Sequence, residues 1–224
     1  MSLGVGKTSI ISTFSSGVFN AHEQVTTGAT FSSKKLFYEK YDKSVKFEIW
    51  DTCGQEKYRS LTHLFYKDAL VAILVYDITS KTSYNEVITF WYKEIKEKGA
   101  KDVLIVICGN KSDLFDKEEI SGDAARNWAK EKGISYYETS AKNKSGITEM
   151  FYGIGKTYLN MVYDFSDINK EENDNQVNHD IINAYKEKEK DDGTKKEKKK
   201  KKKETIKLDD TIDKDESNAR SRCC

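Results

Sequence analysis

A doubly wound α/β domain with a mostly parallel sheet is the fold class these 224 residues predict, and three observations carry that reading. Residues 70–76 and 103–108 are short, continuous apolar runs, the pattern of strands buried on both faces. Between and after them, apolar residues recur at helical spacing: Tyr84, Val87, Ile88, Trp91 and Ile95, then Ile147, Phe151, Ile154, Tyr158 and Met161. Short polar motifs follow the strands, where sheets of this class hold ligands at their carboxyl ends.

In chain order, Gly4-Val5-Gly6-Lys7-Thr8, with Ser9 after it, has the composition of the second half of a phosphate-binding loop. Glycines permit a tight turn there, and the N–H groups at the start of the following helix can surround phosphates. Lys7 would add an ammonium beside the β- and γ-phosphates, and the Thr8 hydroxyl suits Mg²⁺, which takes oxygen ligands. Standing alone, the same five residues could be a glycine-rich helix cap. Gly153-Ile154-Gly155-Lys156-Thr157 nearly repeats the letters, but its apolar neighbours keep the helical period on both sides and no buried strand feeds it. It is predicted to be helix.

Residues 34–39 and 45–50 read as strands joined by a turn at 40–44, and Asp51 stands at the carboxyl end of the second. Residues 103–108 lead into Asn110-Lys111-Ser112-Asp113, and a short strand near 135–137 leads into Ser140-Ala141-Lys142. The Asp113 carboxylate can accept two hydrogen bonds from guanine N1–H and its 2-amino group, donors that adenine does not present together.

With Trp50-Asp51-Thr52-Cys53-Gly54-Gln55-Glu56 added to these words, the chain resembles the small GTPases, whose domain is a P-loop α/β fold. The resemblance implies GTP or GDP with Mg²⁺ as ligands, and hydrolysis of GTP to GDP and phosphate. It implies Gly4, Val5, Gly6, Lys7, Thr8, Ser9, Thr26 and Gly54 around the phosphates, and Gln55 orienting the attacking water. Metal contacts would come from Thr8, Thr26 and, through water, Asp51. Guanine would be held by Phe19, Asn110, Lys111, Asp113, Ser140, Ala141 and Lys142. Thr26 belongs to Val25-Thr26-Thr27-Gly28-Ala29-Thr30-Phe31, which looks like the first switch segment although Thr27 replaces the usual isoleucine. Taken alone, Phe19 suits a core position as well as a guanine edge.

Glu56-Lys57-Tyr58-Arg59-Ser60-Leu61 and Phe65-Tyr66 resemble the Rab branch in particular. That resemblance puts Phe31, Trp50 and Phe65 on an effector surface, although each could equally fill core. It implies exchange factor, GTPase-activating protein, dissociation inhibitor and effectors as partners. Its implied role is a switch in vesicular membrane traffic on the cytoplasmic face of intracellular membranes, cycling through the cytosol. Residues 28–31 and 67–69 lean toward the early-endosomal branch.

Residues 1–164 carry the periodicities of the domain, and 165–224 are predicted to be a disordered tail. The tail holds 16 basic and 16 acidic residues, so the lysine run at 195–203 is a local patch, readable as a spacer, a lipid-facing patch or a nuclear-localisation patch. Net charge is only +1, which gives no support to a nucleic-acid partner. Four scattered cysteines fit a reducing compartment, and Cys223-Cys224 resembles the Rab ending that receives two prenyl groups. No apolar run is long enough to span a membrane, so membrane contact is expected through those lipids.

Two features depart from the family pattern. The first glycine of the phosphate loop would stand at Met1, so the first strand is expected to be missing, and about 10–20 further residues are expected ahead of Met1 on the length of a strand with its lead-in. The rival expectation is a pseudo-GTPase, a binding scaffold that does not hold nucleotide. Leu3 takes a place where the family has a small residue, and is expected to slow hydrolysis. A P-loop kinase or ATPase is the third reading, but it would not need the 110–113 and 51–55 motifs.

Overall fold

The computed structural model describes residues 3–54 and 64–163 and the backbone of 220–223. Among the described residues six strands form one sheet: β1 (Thr30–Tyr38), β2 (Lys43–Asp51), β3 (Val71–Asp77), β4 (Leu104–Asn110), β5 (Ser135–Thr139) and β6 (Arg220–Cys223). Their spatial order is β1-β2-β6-β3-β4-β5. Only β1 and β2 are antiparallel; every other pairing is parallel.

Burial explains the strand types. All seven residues of β3 are buried, as a strand covered on both faces requires, whereas β2 alternates, with Val45, Phe47 and Ile49 inward. The β1–β2 hairpin runs longer than the apolar pattern indicated. Its turn is a short 3₁₀ segment, Glu39–Tyr41, closed by Asp42 at φ 48°. Aspartate tolerates that left-handed conformation better than most residues.

The helices are α1 (Lys7–Ser16), α2 (Lys81–Glu86), α3 (Tyr92–Lys98), α4 (Gly122–Glu131) and α5 (Ile147–Val162). A π-helical turn, Val87–Trp91, joins α2 to α3 and keeps Val87, Trp91 and Ile95 buried. Tyr84, Val87, Trp91 and Ile95 pack with Ala125 and Ala129 of α4 on Leu74, Tyr76, Ile105 and Ile107 of the sheet. Phe14 of α1 stacks on Phe151 of α5, with ring centroids 3.7 Å apart, and both meet Phe47 of β2 edge-on. The second phosphate-loop-like stretch lies inside α5, as its periodicity predicts. Its glycines admit tyrosine: a Cβ on Gly153 would collide with the Tyr137 hydroxyl, and one on Gly155 with the Tyr38 hydroxyl.

At the far end of the stretch expected to be a disordered tail, Arg220–Cys223 is a strand in the sheet between β2 and β3. It lies where the first strand was expected to be missing. Buried backbone groups on the facing edges of β2 and β3 require partners, and this segment supplies part of them. The lysine run at 195–203 lies outside the described residues.

Candidate functional site

One cavity of about 410 Å³ opens at the carboxyl ends of the parallel strands, lined at one end by Gly4, Gly6, Lys7, Thr8 and Ser9 and at the other by Asn110, Lys111, Asp113, Ala141 and Lys142. Gly4 and Gly6 take φ +74° and +91°, and a Cβ on Gly6 would strike the Asn110 side-chain amide. Both requirements demand glycine at position 6. Helix α1 begins at the next residue with no side-chain cap on its first amides. An uncapped helix start beside a lysine favours an anion.

The hydroxyl of Thr8 donates to Asp51 Oδ2 at 2.6 Å and lies 2.8 Å from the Thr26 hydroxyl, which is itself 3.5 Å from Asp51 Oδ2. Asp51 is 3% exposed, and its Oδ1 is buried without a hydrogen-bond partner. Burial raises the Asp51 pKa against the opposing Thr8 bond and Lys7 charge, and burial lowers the Lys7 pKa against the opposing charge of Asp51. Both groups are pushed toward neutrality. A phosphate beside Lys7 and a cation beside Asp51 would each restore the charged form.

At the other end, the Asn110 side chain is hydrogen-bonded within the protein. Its Nδ2 donates to the Val5 carbonyl at 2.9 Å, and its Oδ1 accepts from Thr139 Oγ1 at 3.1 Å and from the Ala141 amide at 3.3 Å. Asn110 is 1% exposed, so it ties the phosphate loop to the 140–142 loop. Asp113 Oδ1 accepts from Ser140 Oγ at 2.5 Å, and Lys142 Nζ stands 3.9 Å from its Oδ2. Lys111, at φ 68°, pairs with Asp77 Oδ2 at 2.7 Å. Phe19 lines the same cavity, half-buried.

The Ras family model matches residues 2–160. The chain is 40% identical over 154 residues to the Ras-related protein Rab5 of Nicotiana tabacum, covering 69% of this chain and 76% of that protein. It is 40% identical over 152 residues to Rab-5A of Dictyostelium discoideum, covering 68% and 74%. Rab5A of Oryza sativa subsp. japonica is 37% identical over 157 residues, covering 70% and 76%. The chain belongs to the Rab branch of the Ras family. Its relatives place it with the Rab5 proteins, and the family's activity is the hydrolysis of GTP.

Within this Rab chain, Phe31, Trp50 and Phe65 form a row. Phe31 meets Trp50 at 5.3 Å between ring centroids and Trp50 meets Phe65 at 5.4 Å, with Phe31 51% exposed. Trp50 and Phe65 are half-buried, so the row runs from partly buried to exposed and none of the three belongs to the fully buried core. Gly54 lines the cavity, but Gln55 and Arg59 lie outside the described residues, as does Cys224. Leu3 is 55% exposed and lines the cavity at the end where Gly54 stands.

Asp77 and Thr139 are positioning residues that the motifs alone did not indicate. Asp77 could have been found from its place at the carboxyl end of a buried parallel strand, the rule already used for Asp51. Thr139 has no such signal.

Proposed function

We propose that this chain is a guanine-nucleotide switch of vesicular membrane traffic that binds GTP or GDP with Mg²⁺ in the 410 Å³ cavity. The observation that carries this reading is the joining of two chemistries in one cavity: an uncapped helix start with Lys7, and a carboxylate, Asp113, positioned by Ser140. Lys7 and the amides of residues 4–9 and Gly54 hold phosphate. Asp113 accepts from the base, since each carboxylate oxygen keeps a free lone pair beyond its protein bond. Lys111 packs beside the base, Ala141 and Lys142 close the same side, and Phe19 approaches its edge.

The residues fit Mg²⁺. Thr8 and Thr26 hydroxyls converge on Asp51, whose buried Oδ1 lacks a partner, and a cation that retains several waters suits one carboxylate and two hydroxyls. When bound, the ion neutralises charge on the phosphates. Gln55 orients the water that attacks. Loss of the γ-phosphate then frees the segments around Thr26 and Gly54, and partners read the change at Phe31, Trp50 and Phe65. Those partners comprise effectors, exchange factor, GTPase-activating protein and dissociation inhibitor. Prenyl groups on Cys223 and Cys224 anchor the chain to endosomal membrane.

The test is the nucleotide content of purified protein, followed by displacement with GTP, GDP and ATP in Mg²⁺ and in chelator. Co-purified guanine nucleotide, displaced by GTP and GDP only and released faster in chelator, is the expected result. Protein that carries and binds no nucleotide would be the scaffold instead, and displacement by ATP would point to a kinase or ATPase.

A further inference from the structure

Within the 110–113 motif, Lys111 alone takes the left-handed backbone conformation, at φ 68°. A lysine does not favour that conformation by itself, and such a residue persists where its surroundings hold it. Two holds are visible. The Lys111 carbonyl accepts from the Leu114 amide at 2.8 Å, which closes the turn that follows, and the Lys111 ammonium pairs with Asp77 Oδ2 at 2.7 Å.

Asp77 ends β3 and stands opposite Asn110 in the parallel register. It is 8% exposed and does not line the nucleotide cavity, whereas Lys111 does. Its carboxylate is itself fixed. Oδ1 accepts from the Thr79 amide at 2.9 Å and from the Thr79 hydroxyl at 2.7 Å, the local turn that an aspartate makes with the amide two residues on. The Asp77 amide donates to Ser83 Oγ at 3.0 Å, and that hydroxyl donates to the Ser80 carbonyl at 2.8 Å, so the start of α2 braces the same residue. With Oδ1 turned to Thr79, Oδ2 is left to face the ammonium.

The pair bears on ligand binding through order. A lysine side chain loses much rotamer freedom when it is held against a ligand. An ion pair made wholly within the protein orders the lysine whether or not a base is present, so binding need not supply that order. The charge is met by protein, and the apolar stem is left to line the cavity.

We propose that Asp77 is a positioning residue for nucleotide retention: by holding the Lys111 ammonium it sets the lysine stem against guanine and lengthens the time that the nucleotide stays bound. This rests on the reading given under Proposed function, in which Lys111 packs beside the base. Asp77 acts through Lys111 and makes no contact with the nucleotide itself.

The experiment measures release of a fluorescent GDP analogue from the full chain, chased with excess GDP, for the unaltered protein, Asp77→Asn, Lys111→Met and the double variant. Asparagine keeps an oxygen for Thr79 and removes the charge that faces Lys111. Asp77→Asn is expected to speed release about tenfold, the lower end for a hydrogen bond between charged groups, because the Lys111 side chain is a third exposed. Effects of this kind fall mostly on the release rate. The double variant should release no faster than Lys111→Met alone, because Asp77 has nothing to hold once the ammonium is gone. Effects that multiply independently overturn the proposal, as does an unchanged rate in Asp77→Asn.

Inosine diphosphate, which lacks the 2-amino group, separates positioning of Lys111 from general damage. Competition of GDP and inosine diphosphate against the same analogue gives the ratio of their affinities. Asp77 is in register with Asn110, so damage to the strand ends would reach Asp113 and shrink the preference for GDP. The ratio is expected to be unchanged in Asp77→Asn, and a ratio that falls toward one overturns the proposal. If Asp77→Asn does not fold, Thr79→Ala decides, since Thr79 does not line the cavity and the variant removes one bond to Oδ1. It is expected to speed release at least about twofold, the lower end for one hydrogen bond, and an unchanged rate overturns the proposal. An unaltered chain that binds no GDP overturns the reading under Proposed function and this inference together. An unaltered chain that binds GDP, and releases it at the same rate after the substitution, overturns this inference alone.

Discussion

Two stretches of this chain spell almost the same word, Gly4-Val5-Gly6-Lys7-Thr8 and Gly153-Ile154-Gly155-Lys156-Thr157, and the protein uses them for opposite purposes. In the first, both glycines take positive φ and end a loop, so the lysine and threonine open α1 beside a cavity. In the second, both glycines are helical and their missing side chains make room for the hydroxyls of Tyr137 and Tyr38. The letters are shared, and the difference lies in what surrounds them. Asn110 holds the first loop through the Val5 carbonyl, and no loop exists for the second.

The largest effect that would break this contrast is in nucleotide affinity. Lys7→Ala is expected to weaken GTP binding by roughly 100-fold, the upper range for losing a hydrogen bond to a charged group. Lys156→Ala should leave affinity unchanged. Titration with a fluorescent GTP analogue distinguishes them, and equal losses would mean that the second stretch also touches ligand.

Glycine substitution separates the two by kind of damage. Gly6→Ala is expected to abolish nucleotide binding, because both the backbone angle and the Asn110 amide forbid a side chain there. Gly155→Ala should retain whatever binding the fold retains but lose about 1–3 kcal/mol of stability, the range for overpacking a core. In a Tyr38→Phe background, which removes the colliding hydroxyl, that loss should shrink. A denaturant series on the four combinations measures the coupling, and an undiminished loss would place the cause elsewhere.

Most of the cavity was readable because its residues follow strands. Thr8, Asp51, Asp113 and Ala141 each stand where an apolar run ends or a helix begins, and the structure brings them to one cavity or onto its carboxylate. Asn110, expected beside the base, also bonds Val5, Thr139 and Ala141, separated by 105, 29 and 31 residues. Local pattern cannot report such pairings. Helix α4 does segregate its apolar residues at the helical period, but its fully buried side chains are the small Ala125 and Ala129, with Trp128 packed beside them. The segment between the 110–113 motif and the 135–137 strand was not read as a helix. Strand β6 was hidden by its charge, since Arg-Ser-Arg-Cys has no apolar alternation until it is set against β2.

Leu3→Ser bears on the loop alone and should raise the intrinsic GTP hydrolysis rate severalfold, since Leu3 lines the cavity at the end where Gly54 stands. Single-turnover hydrolysis without an activating protein is the measurement. An unchanged rate would show that the side chain does not obstruct the water.

The smallest effect concerns charge. Asp51 beside α1 is buried with its pKa raised, and it is held there at a cost when no nucleotide or cation is bound. For a carboxyl whose folded pKa is raised, the favourable contribution exists below its ordinary value and is lost as pH climbs through the raised value. At neutral pH, Asp51→Asn should therefore stabilise nucleotide-free protein, on the order of 1 kcal/mol for each unit of displacement. The advantage should narrow as pH falls from neutral toward 3.8, because protonation removes the same charge that the substitution removes. Saturating GTP and Mg²⁺ should reverse the order, since ligand stabilises only the chain that binds it. Thermal unfolding across pH, with and without ligand, checks both halves. A gap that stays constant with pH would mean that Asp51 is destabilising by its shape and not by its charge.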